Sequence, residues 1–440
     1  MIQPVPVHPV DFKPEVQDSY DVIVVGGGPA GASTAALLAE HGHDVLLLER
    51  SVLPRFHVGE SLIPETYWPL KRLGLLEKLK QSSFPKKYSV QFVSDGVKES
   101  APFYFDMHND HESSMTWQVE RGAFDQMLVE RAIELGATVH TSAHVNFCIF
   151  DKGTATGVSC RLTGEDGKKT DREVQARVVV DATGQSAFIS SRRGQREADP
   201  RLKKATIWTY WENAHRDSGK DEGATLIMQT PDKKSWFWYI PLPENIVSVG
   251  CTGSLEYMFG KGHAGAEAVY QRELERCPAM QKRLQNATRA TDYFTTKDFS
   301  YYAKEGAGNG WVLVGDAFGF IDPVYSSGVF LALKGGEYCA DAVHDALQRN
   351  DLTGPRLGQW QPLYKQGIEN FKKLVYAFYA EGFSFSTFLK AHPEYKGHMV
   401  DILVGDVFKP GVSDIFDAMG LVQPKLDTPD TTGKEKLAIA

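Results

Sequence analysis

Residues 20–50, YDVIVVGGGPAGASTAALLAEHGHDVLLLER, restrict the fold more than any other stretch of the chain. The five residues from Asp21 to Val25 read as a short strand without a gap in hydrophobicity, the pattern of a parallel strand covered on both faces. Gly26-x-Gly28-x-x-Gly31 follows and opens a helix expected from about Ala30 to Glu40, and a second apolar strand, Val45 to Leu48, ends in Glu49 and Arg50. Glycines at this spacing permit the tight turn, the approach of backbone to a pyrophosphate and close helix–strand packing, while the helix N-terminus faces the anion. Glu49 lies 21 residues after Gly28, where the fingerprint places an acid on a ribose hydroxyl. Strand, turn, helix, strand and acid together predict a dinucleotide site built on Gly26, Gly28, Ala30, Gly31, Glu49 and Arg50. The superficially similar Gly260-x-Gly262-x-x-Gly265 follows no buried strand and has no acid at the right distance, so it reads as a loop.

At 440 residues the chain is too long for one core and implies two or three domains, some discontinuous in sequence. A formal charge of −8 argues against nucleic acid, whose phosphates require a basic face. No apolar run approaches the roughly 18–20 residues of a membrane span, and the start lacks the features of a signal peptide, so a cytoplasmic, soluble protein is expected. The five cysteines are scattered without CxxC spacing, and the thirteen histidines include no HExxH, so neither a disulfide framework nor a metal site is expected.

Three later stretches choose the dinucleotide. Arg121 begins an amphipathic helix with Phe124, Leu128 and Ile133 on its inner side; Val178 to Gly184 is a strand ending in Asp-Ala-Thr-Gly; and Trp311 to Val329 is a buried strand ending in Gly315-Asp316, a loop, and the turn Tyr325-Ser326-Ser327-Gly328 that opens another helix. In this order the motifs resemble the p-hydroxybenzoate hydroxylase-like flavoproteins over most of residues 20–345. The resemblance implies FAD, with Arg121, Asp316 and Gly328 among its contacts.

Residues 236–241, WFWYIP, read by alternation as a strand buried on both faces, with Trp236 and Trp238 on one side and Phe237 and Tyr239 on the other. Within this flavoprotein group WxWxIP also resembles the mark of the flavin-dependent halogenases, which Trp236, Trp238, Ile240 and Pro241 match. HVGESL at 57–62 and FPKK at 84–87 are similar to the phenol and pyrrole halogenases, particularly those acting on carrier-bound pyrrole, and the second lysine of FPKK, Lys87, matches their catalytic lysine. Without the resemblance Lys87 would rank with Lys71, Lys78, Lys80 and Lys86 as a surface charge. Tyr325 stands where tryptophan halogenases carry a glutamate, which argues against free tryptophan as substrate.

The resemblance implies a halogenase that receives FADH2 from a separate flavin reductase, since a single dinucleotide fingerprint is found and no nicotinamide domain. FADH2 and oxygen would give a C4a-hydroperoxide, chloride or bromide near Ser327 and Gly328 would be oxidised to hypohalous acid, and Lys87 would direct the halogen to a phenol or pyrrole, free or tethered to a carrier protein. Bulky walls from Phe56, Trp236 and Trp238 would keep the oxidant from other routes, and Lys203-Lys204 or Lys233-Lys234 would suit an acidic carrier domain. An NAD(P)H-dependent aromatic hydroxylase shares the scaffold, and a flavin-binding protein without halogenating turnover is the reading of another class.

The expected architecture is α/β. A Rossmann-type FAD domain takes residues 18–90, 116–200 and 295–350; an antiparallel-sheet substrate domain takes 91–115 and 201–294; a helical, aromatic region spans 355–425; and the tails, 1–17 and 426–440, are loosely ordered.

Overall fold

A computed structural model describes residues 9–420 except 261, 263, 264 and 298. The strand Ser19–Val25 holds Val22, Ile23 and Val24 fully buried, because it lies in the middle of a sheet covered on both faces. Five strands run parallel in the order Trp311–Leu313, Lys169–Asp181, Ser19–Val25, Val45–Leu48 and Thr138–His140. Ala143–Asp151 and Thr154–Thr163 extend this sheet antiparallel from Lys169–Asp181. The helix Pro29–Glu40 packs against Ser327–Gln348 and Arg121–Glu134. Phe124 and Leu128 of the latter are buried and Ile133 is half-buried.

A nine-stranded second sheet contains the expected strands as Lys204–Glu212, Thr225–Gln229, Ser235–Pro241 and Ile246–Ser254, with antiparallel neighbours. One pairing departs from the antiparallel expectation: Ser89–Ser94 lies parallel to Thr225–Gln229. These strands are far apart in the chain, so their pairing needs no hairpin and its direction is free. Strand Ser235–Pro241 is buried along its whole length. Its alternation divides it between two cores: Trp236, Trp238 and Ile240 join the large core shared with the nucleotide-binding part, while Phe237 and Tyr239 join the smaller core behind the second sheet. Pro241 lies beyond the pairing with Thr225–Gln229, so its missing N–H costs no ladder bond there.

Helices Gln361–Tyr379 and Lys396–Val404 close one side of the molecule. Phe371 and Phe378 are buried, as the aromatic spacing of this segment suggests. Residues 9–17, expected to be loose, are pinned: Val10 bridges Leu53, and the Phe12 carbonyl and the Asp11 carboxylate accept bonds from Thr141. Residues 426–440 lie outside the described residues. Gly260 ends the short helix Leu255–Phe259 and Gly265 precedes the helix Ala266–Glu275. No helix among the described residues is long and apolar enough to cross a membrane.

Candidate active site

The glycine turn leads directly into a cavity of about 540 Å³ at the carboxyl ends of the parallel strands. Gly26 adopts φ +107°, and a Cβ there would lie 2.4 Å from the Ala182 carbonyl oxygen; one on Gly31 would lie 1.9 Å from the Gly26 oxygen. At Gly28 such an atom would meet only Arg55 Nη2, at 3.5 Å, so the turn presents bare backbone to the cavity. Gly26, Gly28, Ala30, Glu49 and Arg50 all line it, whereas Gly31 stands behind the turn and permits its packing. Glu49 accepts the Gly27 and Ser51 backbone N–H groups at 2.8 and 2.9 Å, which fixes its carboxylate at the cavity edge. Bare backbone at a helix N-terminus with a fixed acid beside it fits the pyrophosphate and ribose of FAD.

Arg121 reaches the cavity, but its guanidinium is also committed inside the protein. It donates to both oxygens of Asp125 at 2.9 and 3.0 Å and to the Val58 carbonyl at 2.8 Å. Arg55 Nη1 meets the same Asp125 at 3.0 Å and its Nε lies 3.5 Å from Glu49, so two arginines and two acids form one buried network beside the turn. Asp316 lines the cavity too; burial pushes its carboxyl up to about 7, partly offset by the charge of Arg121.

Gly328, Trp238, Ile240, Phe56 and Trp208 also line the cavity. Ser326, in the left-handed region at φ +55°, precedes the helix and also lines the cavity. The Ser327 side chain is buried and does not line the cavity, since the residue is already inside the first helical turn. Its amide and that of Gly328 have no intrahelical acceptor by position. Trp236 also departs from the expected role. It does not line the cavity; its Nε1–H donates to Tyr379 at 2.8 Å and its ring packs edge-on against Phe378. Trp238 does line it, with its ring against Gly250, where a Cβ would lie 2.1 Å from the indole. Pro241 is buried away from the cavity.

Lys87 is 2% exposed and lies in a short strand, Lys86–Lys87, paired with Thr116–Trp117. The pleat turns Lys86 outward and Lys87 inward, which separates the two adjacent lysines. The competing lysines are peripheral: Lys78 pairs with Glu134, Lys80 with Glu77 and Glu112, and Lys71 is exposed beside the rings of Tyr67 and Trp68. Lys87 Nζ donates to Ser61 Oγ and to the Leu62 carbonyl, both at 2.8 Å, and burial pushes the amine down to about 7.

Lys87 faces a second cavity of about 20 Å³, lined also by Phe105, Tyr325 and Leu403, with room for roughly one water. Thr225, Ile227 and Ser326 line both cavities and form the partition between them. Sequence reasoning missed Thr225 in this partition, Ser61 and Gln118 beside it, and Asp322, which accepts from Tyr379. Their contacts join positions 26 to 164 residues apart, and no local pattern marks such contacts.

Of the four lysines suggested for carrier docking, Lys204 is not a free surface charge. Its Nζ lies 3.5 Å from the Tyr379 ring centroid, and burial lowers its pKa.

A dinucleotide cradle walled from a buried lysine by a second sheet defines an FAD-binding oxidoreductase. The FAD binding domain family model matches residues 19–335. A 1H-pyrrole-2-carbonyl peptidyl-carrier-protein chlorinase of Pseudomonas fluorescens is 29% identical over 424 residues, 91% of this chain and 92% of that protein. The flavin-dependent halogenase armH3 of Armillaria mellea is 32% identical over 356 residues, 77% of this chain and 70% of that one. The solved structure of the flavin-dependent brominase Bmp2 superposes with a TM-score of 0.80 at 26% identity, covering 92% of this chain and 98% of its own. The chain therefore belongs to the FAD-dependent halogenases. Its cofactor is FAD and its co-substrate a halide.

Proposed function

We propose that the protein chlorinates or brominates an electron-rich aromatic ring, a phenol or a pyrrole, free or held by a carrier protein, with Lys87 presenting the oxidised halogen. The observation that carries this reading is the placement of Lys87: a buried amine in a water-sized cavity that shares a wall with the flavin-sized one. Relatives named for carrier-bound pyrrole chlorination and bromination support the substrate class.

Bound FAD supplies the reduction of oxygen that oxidises the halide. Gly26, Gly28, Ala30, Glu49, Arg50, Arg121, Asp316 and Gly328 would hold it, and the amides of Ser327 and Gly328 would face the halide. Trp238 and Ile240 wall the cavity, while Trp236 fixes the strand that carries them. At the partition, Lys87 has two chemical options. As a neutral amine it attacks the halogen of hypohalous acid: a nitrogen–halogen bond forms, the halogen–oxygen bond breaks, and the departing hydroxide takes an amine proton to leave as water. As an ammonium it donates a hydrogen bond to the acid's oxygen and polarises the halogen. A pKa of about 7 keeps both forms available near neutrality.

A cavity of about 20 Å³ suits hypohalous acid but not an aromatic ring, so the ring gains its room by displacement of the side chains of Tyr325, Phe105 or Leu403. The family match to one nucleotide-binding region supports a separate reductase as the source of reduced flavin.

The test is mass spectrometry of products from purified protein with FAD, a flavin reductase, NADH, oxygen and bromide, against phenols and pyrroles, free and carrier-bound. A bromide-dependent isotope doublet is expected, and its absence in Lys87→Ala with FAD binding retained. Oxygenated product, or NADH consumption without reductase, overturns the reading.

A further inference from the structure

One side chain touches both compartments. Ser61 lines the large cavity, is 5% exposed, and accepts the hydrogen bond of Lys87 across the partition at 2.8 Å. Its backbone is pinned by an isolated bridge to Gln118, with Leu62 N–H donating to the Trp117 carbonyl and Val119 N–H to that of Glu60. Its hydroxyl also meets Thr225 Oγ1 at 2.9 Å, and Thr225 Oγ1 accepts Gln118 Nε2 at 2.7 Å. Gln118 Nε2 and the Lys87 ammonium can only donate, so the first fills an acceptor site on Thr225 and the second one on Ser61, while the contact between the two hydroxyls can run in either direction. When Lys87 is a neutral amine, the Ser61 proton can turn to the amine lone pair.

We infer that Ser61 is a positioning residue for Lys87, fixing the amine in the partition and setting which of its protonation states the halogen meets. This rests on the role proposed for Lys87. Tyr325 is the other titratable side chain lining the small cavity among the described residues, and burial holds its phenol neutral. The hydroxyl of Ser61 is therefore the side-chain group bonded to the amine, and it favours the charged form because it accepts from it.

Removing this acceptor lowers the Lys87 midpoint. The test uses lysine-labelled, FAD-free protein, in which the Lys87 ε-methylene resonance is identified by its loss in Lys87→Ala and titrated by NMR. A midpoint near 7 is expected in the wild type, lower by about one pH unit in Ser61→Ala and restored in Ser61→Thr. In the holoenzyme with reductase, the pH limb of halogenated product per flavin oxidised moves in the same direction in Ser61→Ala. An unchanged midpoint and an unchanged limb in Ser61→Ala overturn the inference, since a packing role alone would lower the rate at every pH. Halogenation retained in Lys87→Ala overturns the Lys87 reading itself, independently of the titration.

Discussion

The two cavities are built by opposite means. The large one is marked by a backbone feature: a glycine turn at a helix N-terminus with Glu49 beside it, all within a continuous stretch of about thirty residues, although its lining also draws on many distant side chains. The small one is a side-chain structure, assembled around Lys87 from short, widely separated stretches that supply Ile63, Val90 and Phe92, Phe105, Thr225 and Ile227, Val324 to Ser326, and Leu403. Backbone sites tolerate changes in the side chains around them but not the addition of a Cβ. Side-chain sites depend on single residues and leave the fold indifferent to some of them.

Substitutions can separate these dependences. The largest expected effect is on chemistry alone: Lys87→Ala lowers halogenation by about 10³-fold while FAD fluorescence titration is unchanged. Next, Gly26→Ala at φ +107°, with its Cβ 2.4 Å from a carbonyl oxygen, weakens FAD binding by about a hundredfold and lowers the thermal midpoint. Trp236→Ala, whose indole is buried against the helix Gln361–Tyr379 and bonded to Tyr379, costs about 3–5 kcal/mol in denaturant unfolding yet retains FAD.

A subtler separation comes from pH. Burial lowers Lys87 from its ordinary 10.5 to about 7, so between these values the folded protein binds fewer protons than the unfolded chain, and wild-type stability gains with rising pH. Lys87→Met lacks this gain, so its thermal midpoint relative to wild type is most favourable at pH 6 to 7 and declines toward pH 10. The smallest effect is expected from Tyr379→Phe, which removes the hydroxyl bonded to Asp322 at 3.1 Å and to Trp236, at about 1 kcal/mol.

The same contrast explains what could be read in advance. Strand Ser19–Val25, its glycine turn and Glu49 were legible because the pattern that marks them lies within about thirty residues, even though the strand also pairs with Lys169–Asp181. The strand around WFWYIP was legible as alternation, but alternation cannot say what each face meets. Trp236 and Trp238 share a face, and only Trp238 reaches the cavity, since Phe378 and Tyr379 cover its neighbour. Lys87 was distinguished from Lys86 by resemblance alone, and the pairing with Thr116–Trp117 supplies the physical reason for its inward turn. Ser61 stood inside a quoted motif, HVGESL, without a sign of its partners: Lys87 is 26 residues away and Thr225 is 164.

The tryptophan strand has one face in each of two cores, and this bears on how the molecule comes apart. If the cofactor part melted first, Trp236, Trp238 and Ile240 would be stripped of their packing while Phe237 and Tyr239 on the same backbone remained buried. A seven-residue strand cannot be ordered on one side only. The structure thus couples the two halves into a single cooperative unit, and calorimetry is expected to show one unfolding transition where two domains of separate cores would show two.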